Sequence, residues 1–272
     1  MWHRLKELVQ FRDLLFNLVV RDLKVRYKNS VLGILWSWLN PLFMMIVYSV
    51  VFMYMYTGNF GIERRVFPAF ILVALLPWNF FSASITQSVG SIVDNANLVK
   101  KVYFPREILP LSVVTSNLVN FGISLMVLVP IMLLLRVRFT LWMLYLPVVA
   151  LIQFCFIAGM SFLLSTLNVF YRDTKVIIDV VVMAWFFVTP IFYPIDILPH
   201  SREILGMNID IHRWTRILNP MASIITAYRD ILFYGRQIGL DFLARTAVTS
   251  FAVLVIGYIV FYRYSKVFGE EV

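Results

Sequence analysis

Charge is absent from five long stretches of this chain: Val31–Ile62, Val66–Val93, Ile108–Leu135, Phe139–Tyr171 and Thr246–Tyr262. Four of them exceed the ~20 apolar residues that a helix needs to cross a bilayer, and the last reaches the lower limit of about 17. In hydrocarbon every backbone N–H and C=O must be paired within the structure, so such runs fold as helices. A further apolar run, Val180–Ile195, is shorter and broken by Pro190 and Pro194. The fold class that follows is an all-α membrane protein with six transmembrane helices, at about 32–56, 66–90, 108–135, 141–168, 176–193 and 246–262. Composition agrees: 61% of residues are hydrophobic and 14% charged, against about 25% charged in a soluble domain.

The polar segments then acquire meaning by position. Ser91–Arg106 is a lysine-bearing, helix-forming interruption between two spans, which suits a handle for a soluble partner. In residues 1–30, Leu5, Leu8, Val9, Leu15, Phe16 and Val19 recur at roughly helical spacing with polar residues between them. That pattern predicts an N-terminal amphipathic helix lying in the membrane surface, ahead of a transmembrane domain at 31–272. Between the last two spans, Ile217–Tyr228 and Ile231–Tyr234 are apolar but too short to cross, which predicts re-entrant or interfacial helices.

Lys and Arg set the orientation. Arg4, Lys6, Arg12, Arg21, Lys24, Arg26, Lys28, Lys100, Lys101, Arg106, Arg172, Lys175, Arg263 and Lys266 fall on one side, against Arg64, Arg65, Arg136 and Arg138 in the short loops of the other; the long outer segment adds Arg202, Arg213, Arg216, Arg229, Arg236 and Arg245, which narrows the contrast. Both termini are therefore expected in the cytoplasm, in a multi-pass cell-membrane protein. The net charge of +9 belongs to lipid phosphates and topology rather than to nucleic acid, because the basic residues flank the spans. The single Cys155 and the scattered His3, His200 and His212 form no metal-ligand spacing, and no cleaved signal peptide is evident.

Chemistry is conspicuous by what the motifs exclude. There is no phosphate-binding Gly-rich loop ending in Lys-Ser/Thr, no H-E-x-x-H and no G-x-S-x-G. The spans carry essentially no ionisable residues, which ion-coupled transporters need at depth. The chain is expected to hold no cofactor and no metal, to catalyse nothing itself, and to draw its energy from outside.

Six blocks carry a resemblance: RYKNSVLGILWSWLNPL (Arg26–Leu42), LLPWNFFSASI (Leu75–Ile85), NLVKKVYFPREILPLS (Asn97–Ser112), LNVFYRDTK (Leu167–Lys175), TPIFYP (Thr189–Pro194) and LNPMASIITAYRDILFYG (Leu218–Gly235). In this order, over nearly the whole chain, they resemble the permease subunit of ABC-2-type exporters of polysaccharide and teichoic acid (polyol phosphate). The resemblance implies a homodimer with two copies of a cytoplasmic ATP-binding subunit, which binds the ATP and Mg. The implied cargo is a lipid-linked glycan or polyol-phosphate polymer. Overall similarity leans to teichoic acid over O-antigen, though no residue decides.

The resemblance also distributes roles. Asp94, Asn97, Lys100, Lys101 and Arg106 would couple to the ATPase. Trp36, Tyr48, Tyr54, Trp185, Phe186, Phe187 and Tyr193 would line the substrate channel, since aromatic faces support sliding sugars; each could equally pack against lipid or a neighbouring helix. Arg21, Lys24, Arg26 and Lys28 would meet the carrier lipid's phosphates, or serve only as topology signals. Tyr171, Arg172 and Asp173 would form a polar brace or an ATPase contact, and Arg229 and Asp230 a gate unless they simply pair with their neighbours. The alternatives are an ABC-2 exporter of drugs or single lipids, a membrane-embedded glycan-modifying enzyme, and a passive channel.

Overall fold

The computed structural model of the protein describes residues 7, 10–28, 30–55, 62–137, 139–199, 202–204 and 207–272. Residues 57–61, between the first two expected spans, and residues 1–6, 8 and 9 lie outside that set, as does the side chain of Tyr54. Helix α1 (Arg12–Tyr27) leads through a short turn into α2 (Trp36–Met55), followed by α3 (Phe67–Val89). The polar interruption forms a single 3-10 turn and the short helix α4 (Ala96–Lys101). Then come α5 (Ile108–Leu134), α6 (Leu146–Phe170) and α7 (Thr174–Val188). A two-stranded antiparallel hairpin, β1 (Arg202–Ile204) with β2 (Met207–Ile209), precedes α8 (Ile211–Leu218) and α9 (Pro220–Tyr228). One π-helical turn, Arg229–Phe233, extends α9; α10 (Leu240–Tyr264) and the short α11 (Phe268–Glu271) close the chain.

Helix α3 is the axis of the bundle. Nothing in it is charged, and its first half, Phe67–Trp78, is apolar on all sides, a pattern that belongs in an interior. From Phe67 to Leu76 its apolar side chains are buried, and α2, α5, α6, α7 and α9 surround it. The outward faces of α2, α7 and α10 are the reverse case: Val47, Val180 and Phe251 are 57%, 64% and 62% exposed. Apolar surface on that scale is untenable in water and ordinary in lipid. Among the described residues, five helical stretches are long and apolar enough to cross a membrane: Gly33–Met53, Phe67–Val89, Ile108–Leu134, Leu141–Phe170 and Asp241–Glu271.

Helix α7 departs from expectation. A span at 176–193 is expected, but the helix stops at Val188, at ~1.5 Å per residue short of the ~30 Å hydrocarbon core. Pro190 has no N–H to continue the ladder and disfavours helical geometry in the residue before it; Thr189 is accordingly extended, with ψ 134°.

Helices α6 and α10 pack most closely, at paired glycines. A Cβ on Gly257 would lie 2.1 Å from the Gly159 carbonyl oxygen, and one on Gly159 2.5 Å from the Leu254 nitrogen. The two helices run in the same direction, because Gly159 meets Leu254, Phe162 meets Phe261 and Phe170 meets Tyr264 in step. The bundle has two distinct ends. At one, Leu18 of α1, Val99 of α4, Val169 of α6 and Phe268 of α11 share a core cluster. At the other, the π turn meets the 3-10 turn Leu141–Tyr145, and Gly235 abuts Thr140.

Candidate functional site

Between α2, α3 and α5 lies a cavity of about 580 Å³, lined along its walls by uncharged polar groups and apolar side chains and at one mouth by Arg26. Each helix contributes a stripe at helical spacing: Ser37 and Asn40 from α2, Asn79, Ser82 and Thr86 from α3, Asn117, Asn120 and Ser124 from α5. Residues three, four and seven apart share a helix face, so each helix turns a polar strip to the same space. Trp36, Phe80 and Phe121 supply apolar ring faces along the same walls.

One mouth of this cleft is closed by the end of α1. The Arg26 guanidinium donates from Nη2 to Gln87 Oε1 at 2.9 Å and to Asn117 Oδ1 at 2.8 Å, and Asn117 Nδ2 donates to the same Gln87 oxygen at 3.1 Å. The Tyr27 hydroxyl donates to Asn120 Oδ1 at 2.6 Å and contacts the Ser37 hydroxyl, which donates to Asn120 Oδ1 at 2.7 Å. Charge-assisted bonds of the Arg26 kind are worth roughly 1.5–3 kcal/mol each. The mouth is therefore held by side chains that exchange partners readily, not by packed hydrocarbon.

The four expected phosphate contacts divide between two surfaces. Arg26 turns into the cleft mouth, whereas Arg21, Lys24 and Lys28 line a second, open cavity on the other side of α1. Apolar residues of α1 are also divided: Phe11, Leu14, Leu15 and Leu18 pack against the bundle, while Phe16 and Val25 are exposed. The segregation of polar and apolar faces expected for this helix is thus incomplete.

The expected channel aromatics do not gather on one wall. Trp36 lines the cleft. Tyr48 and Phe186 sit in a ring cluster with Phe192, at centroid distances of 4.9–5.9 Å, between α2 and the end of α7. Trp185 packs edge-on to Phe81 and donates its Nε1–H to Asn219 Oδ1 at 2.9 Å, the same oxygen that caps α9 at Ala222 N. Phe187 is exposed on the outer face of α7, and Tyr193 lies in the non-helical segment after it.

That segment is held by Arg229, which is 3% exposed. Its Nη1 donates to the carbonyls of Pro190 at 2.6 Å and Tyr193 at 3.0 Å, its Nη2 donates to that of Ile191, and its guanidinium carbon lies 3.6 Å from the Phe70 ring centroid. Leaving a helix early strands carbonyls, and a planar fork of donors satisfies several at once. Asp230 instead pairs with Arg236, at 2.7 Å.

At the opposite end, Asp94, Asn97, Lys100 and Lys101 are exposed, and Arg106 is half-buried with its guanidinium beside Gly269. Asp94 lies 4.0 Å from Lys175, joining the loop to the start of α7. Arg21 donates to Asn95 Oδ1 at 3.5 Å, tying the same loop to α1. Tyr171, Arg172 and Asp173 are exposed at the turn between α6 and α7, beside this same end.

The amides Asn40, Asn79, Gln87, Asn117 and Asn120 carry no charge, so an expectation built on ionisable groups at depth does not include them. Their periodicity was the available signal: a polar residue every three or four positions along an otherwise apolar helix marks a face turned away from lipid.

Comparison with known proteins fits this architecture. Residues 13–233 match the family model described as ABC-2 type transporter. The chain is 36% identical over 272 aligned residues to the O-antigen export system permease protein RfbA of Myxococcus xanthus, covering 98% of each. It is 32% identical over 259 residues to a protein of the same name from Klebsiella pneumoniae, covering 95% of this chain and 94% of the relative. By fold, motif order and the extent of these matches, the chain belongs to the ABC-2 type transporter family.

Proposed function

We propose that the protein is the membrane-conducting subunit of an ATP-driven exporter for a lipid-linked cell-surface polysaccharide, working with a separate ATP-binding subunit and a second copy of itself. The observation that carries this reading is the amide- and hydroxyl-lined cleft between three membrane-length helices, with Arg26 as the charged group at its mouth. Sugar hydroxyls exchange hydrogen bonds with amides at a net ~1 kcal/mol each, which permits passage without a deep trap. Apolar ring faces accept the C–H faces of sugars. The relatives' names favour an O-antigen-like polysaccharide over a polyol-phosphate polymer. No cofactor is assigned to this chain; ATP and Mg belong to the partner.

Six crossings are proposed, with both termini cytoplasmic. Parallel α6 and α10 support this: chain leaving the end of α6 must return once through the bilayer before α10 starts. Helix α7 with the extended Thr189–Tyr193 segment supplies that return, its non-helical backbone satisfied by Arg229 and so tolerable at depth. Helix α9 with its π turn is then re-entrant from the outer side, and α1 lies along the inner interface.

Coupling runs from the 91–106 loop through the Asn95–Arg21 contact to α1, and along α1 to the cleft mouth at Arg26 and Tyr27. An ATPase gripping Lys100 and Lys101 differently in its two nucleotide states would shift the mouth between closed and open, because only such differential contact moves an equilibrium. Reversing both charges, Lys100→Glu with Lys101→Glu, should lower co-purification of the ATPase by at least about tenfold while leaving membrane insertion unchanged. Full co-purification by the double variant would remove this loop from the interface.

A further inference from the structure

Tyr228, the last residue of α9, is fully buried, hydroxyl included. That hydroxyl donates to Gln153 Oε1 at 2.9 Å, and Gln153 Nε2 donates to the Pro77 carbonyl at 2.7 Å. Gln153, on α6, is fully buried as well. One polar line thus joins α9 to α3 across α6. Hydrocarbon side chains would pack in these places without needing partners, whereas a satisfied polar network fixes one arrangement of the helices. The line ends on the cleft. Pro77 lies between Leu76 and Asn79, which line the cavity. As the proline inside α3 it removes a ladder donor, so the helix yields most easily there. The Tyr228 ring meets Phe121 edge-on at 5.9 Å, and Phe121 stacks on Phe80 at 5.3 Å; both phenylalanines line the same cavity. Tyr228 therefore touches the α5 wall directly and the α3 wall through Gln153. Helix α9 is also bound to the segment after α7, because Asn219 donates to Thr189 Oγ1 at 3.0 Å and Arg229 holds the carbonyls that follow.

We infer that Tyr228 and Gln153 are positioning residues of transport: they tie two walls of the cleft to the unit formed by α9 and the 189–193 segment, so that the cleft widens only when that unit moves with it. The inference rests on the export reading. A shift of α9 alone would leave the Tyr228 donor and the Gln153 acceptor unpaired in a dry interior, which is costly. A shift that keeps both bonds must carry Pro77, and with it the α3 wall.

The test uses the full chain with its ATPase subunit in nanodiscs. Asn79→Cys serves as a reporter in the cleft, read by a fluorescent maleimide above the background of native Cys155. The variant is Tyr228→Phe with Gln153→Leu, which removes both partners and so strands neither, keeping the thermal midpoint near the parent's. Without nucleotide, reporter labelling should rise at least about fivefold, the population shift that loss of one net hydrogen bond gives. Polymer exported per ATP hydrolysed should fall by a similar factor. A network that only stabilises the fold would move neither readout in a variant of parental stability, so parent-level labelling or parent-level export per ATP would overturn the inference. Should the double variant fail to assemble with the ATPase, Tyr228→Phe alone, which keeps the ring on Phe121, gives the second reading by the same outcomes. Assembly by neither would make the network a folding element and overturn the inference too. Failure of the export reading is separable, since maleimide labelling is read without any polymer present.

Discussion

Arg229→Ala should lower the thermal unfolding midpoint of the purified protein by on the order of 10 °C and abolish export, while the ATPase still co-purifies. The substitution removes the donors that serve the carbonyls of Pro190, Ile191 and Tyr193 and the cation over Phe70. Charge-assisted bonds contribute roughly 1.5–3 kcal/mol each, so a loss of about 3–5 kcal/mol is expected after relaxation, and each kcal/mol shifts the midpoint by about 2–4 °C at this size. Arg229→Lys should recover only part, because one ammonium cannot present the planar fork that reaches all three carbonyls. Retention of ATPase binding follows from distance along the bundle: Arg229 sits at the end opposite α4. A midpoint within ~2 °C of the parent would mean that the segment after α7 does not depend on this residue.

Gly257→Leu should be at least as damaging, and in a different way. The new Cβ would sit 2.1 Å from a backbone oxygen of Gly159, with the Gly159 carbonyl carbon at 2.8 Å. Neither is a side chain that can rotate aside, so α6 and α10 must separate. Overpacking ordinarily costs about 1–3 kcal/mol; loss of a whole helix pair exceeds that. Because Phe261 and Phe268 on the same arm pack in the cluster that holds Val99 of α4, ATPase capture should fail too. Gly122→Leu is the control. Its Cβ meets nothing within 4 Å, so folding and capture should both survive. Monodisperse elution of the Gly257→Leu protein with the ATPase bound would show that the close approach is dispensable.

How much of this was legible in the chain depends on which physical signal each element carries. Charge exclusion is strict in lipid, so α3 at 67–89 and α5 at 108–134 fall within a residue of the expected 66–90 and 108–135. The same signal truncates α10: it starts at Leu240, ahead of the expected 246, because Asp241 and Arg245 occupy its first turns and interrupt the charge-free run without breaking the helix. The proline signal was visible at 190 and 194, but apolarity alone extends a span through them. Only the buried Arg229, distant in sequence, explains how that backbone is satisfied. No sequence pattern predicts the pairing of 202–204 with 207–209.

The site was legible in outline and not in its lining. Basic residues 21–28 were read as one cluster, yet a helix of 3.6 residues per turn sends Arg26 to one side and Lys24 and Lys28 to another. Aromatics are expected in the channel because rings suit sugars; Tyr48, Phe186 and Phe192 pack on one another and on Phe52, Trp78 and Phe187. Amides at positions 79, 117 and 120 carry the polar wall, and their meaning emerges only when three helices bring the stripes together.

The most direct measurement places a photo-crosslinking amino acid at Asn79, on the α3 wall of the cleft, in cells making the polymer with the ATPase present. Crosslinks to glycan that appear with an active ATPase, and vanish when its hydrolysis is blocked, are the expected result. Glycan export at the normal rate with crosslinks from Asn79 only to lipid would contradict passage through this cleft.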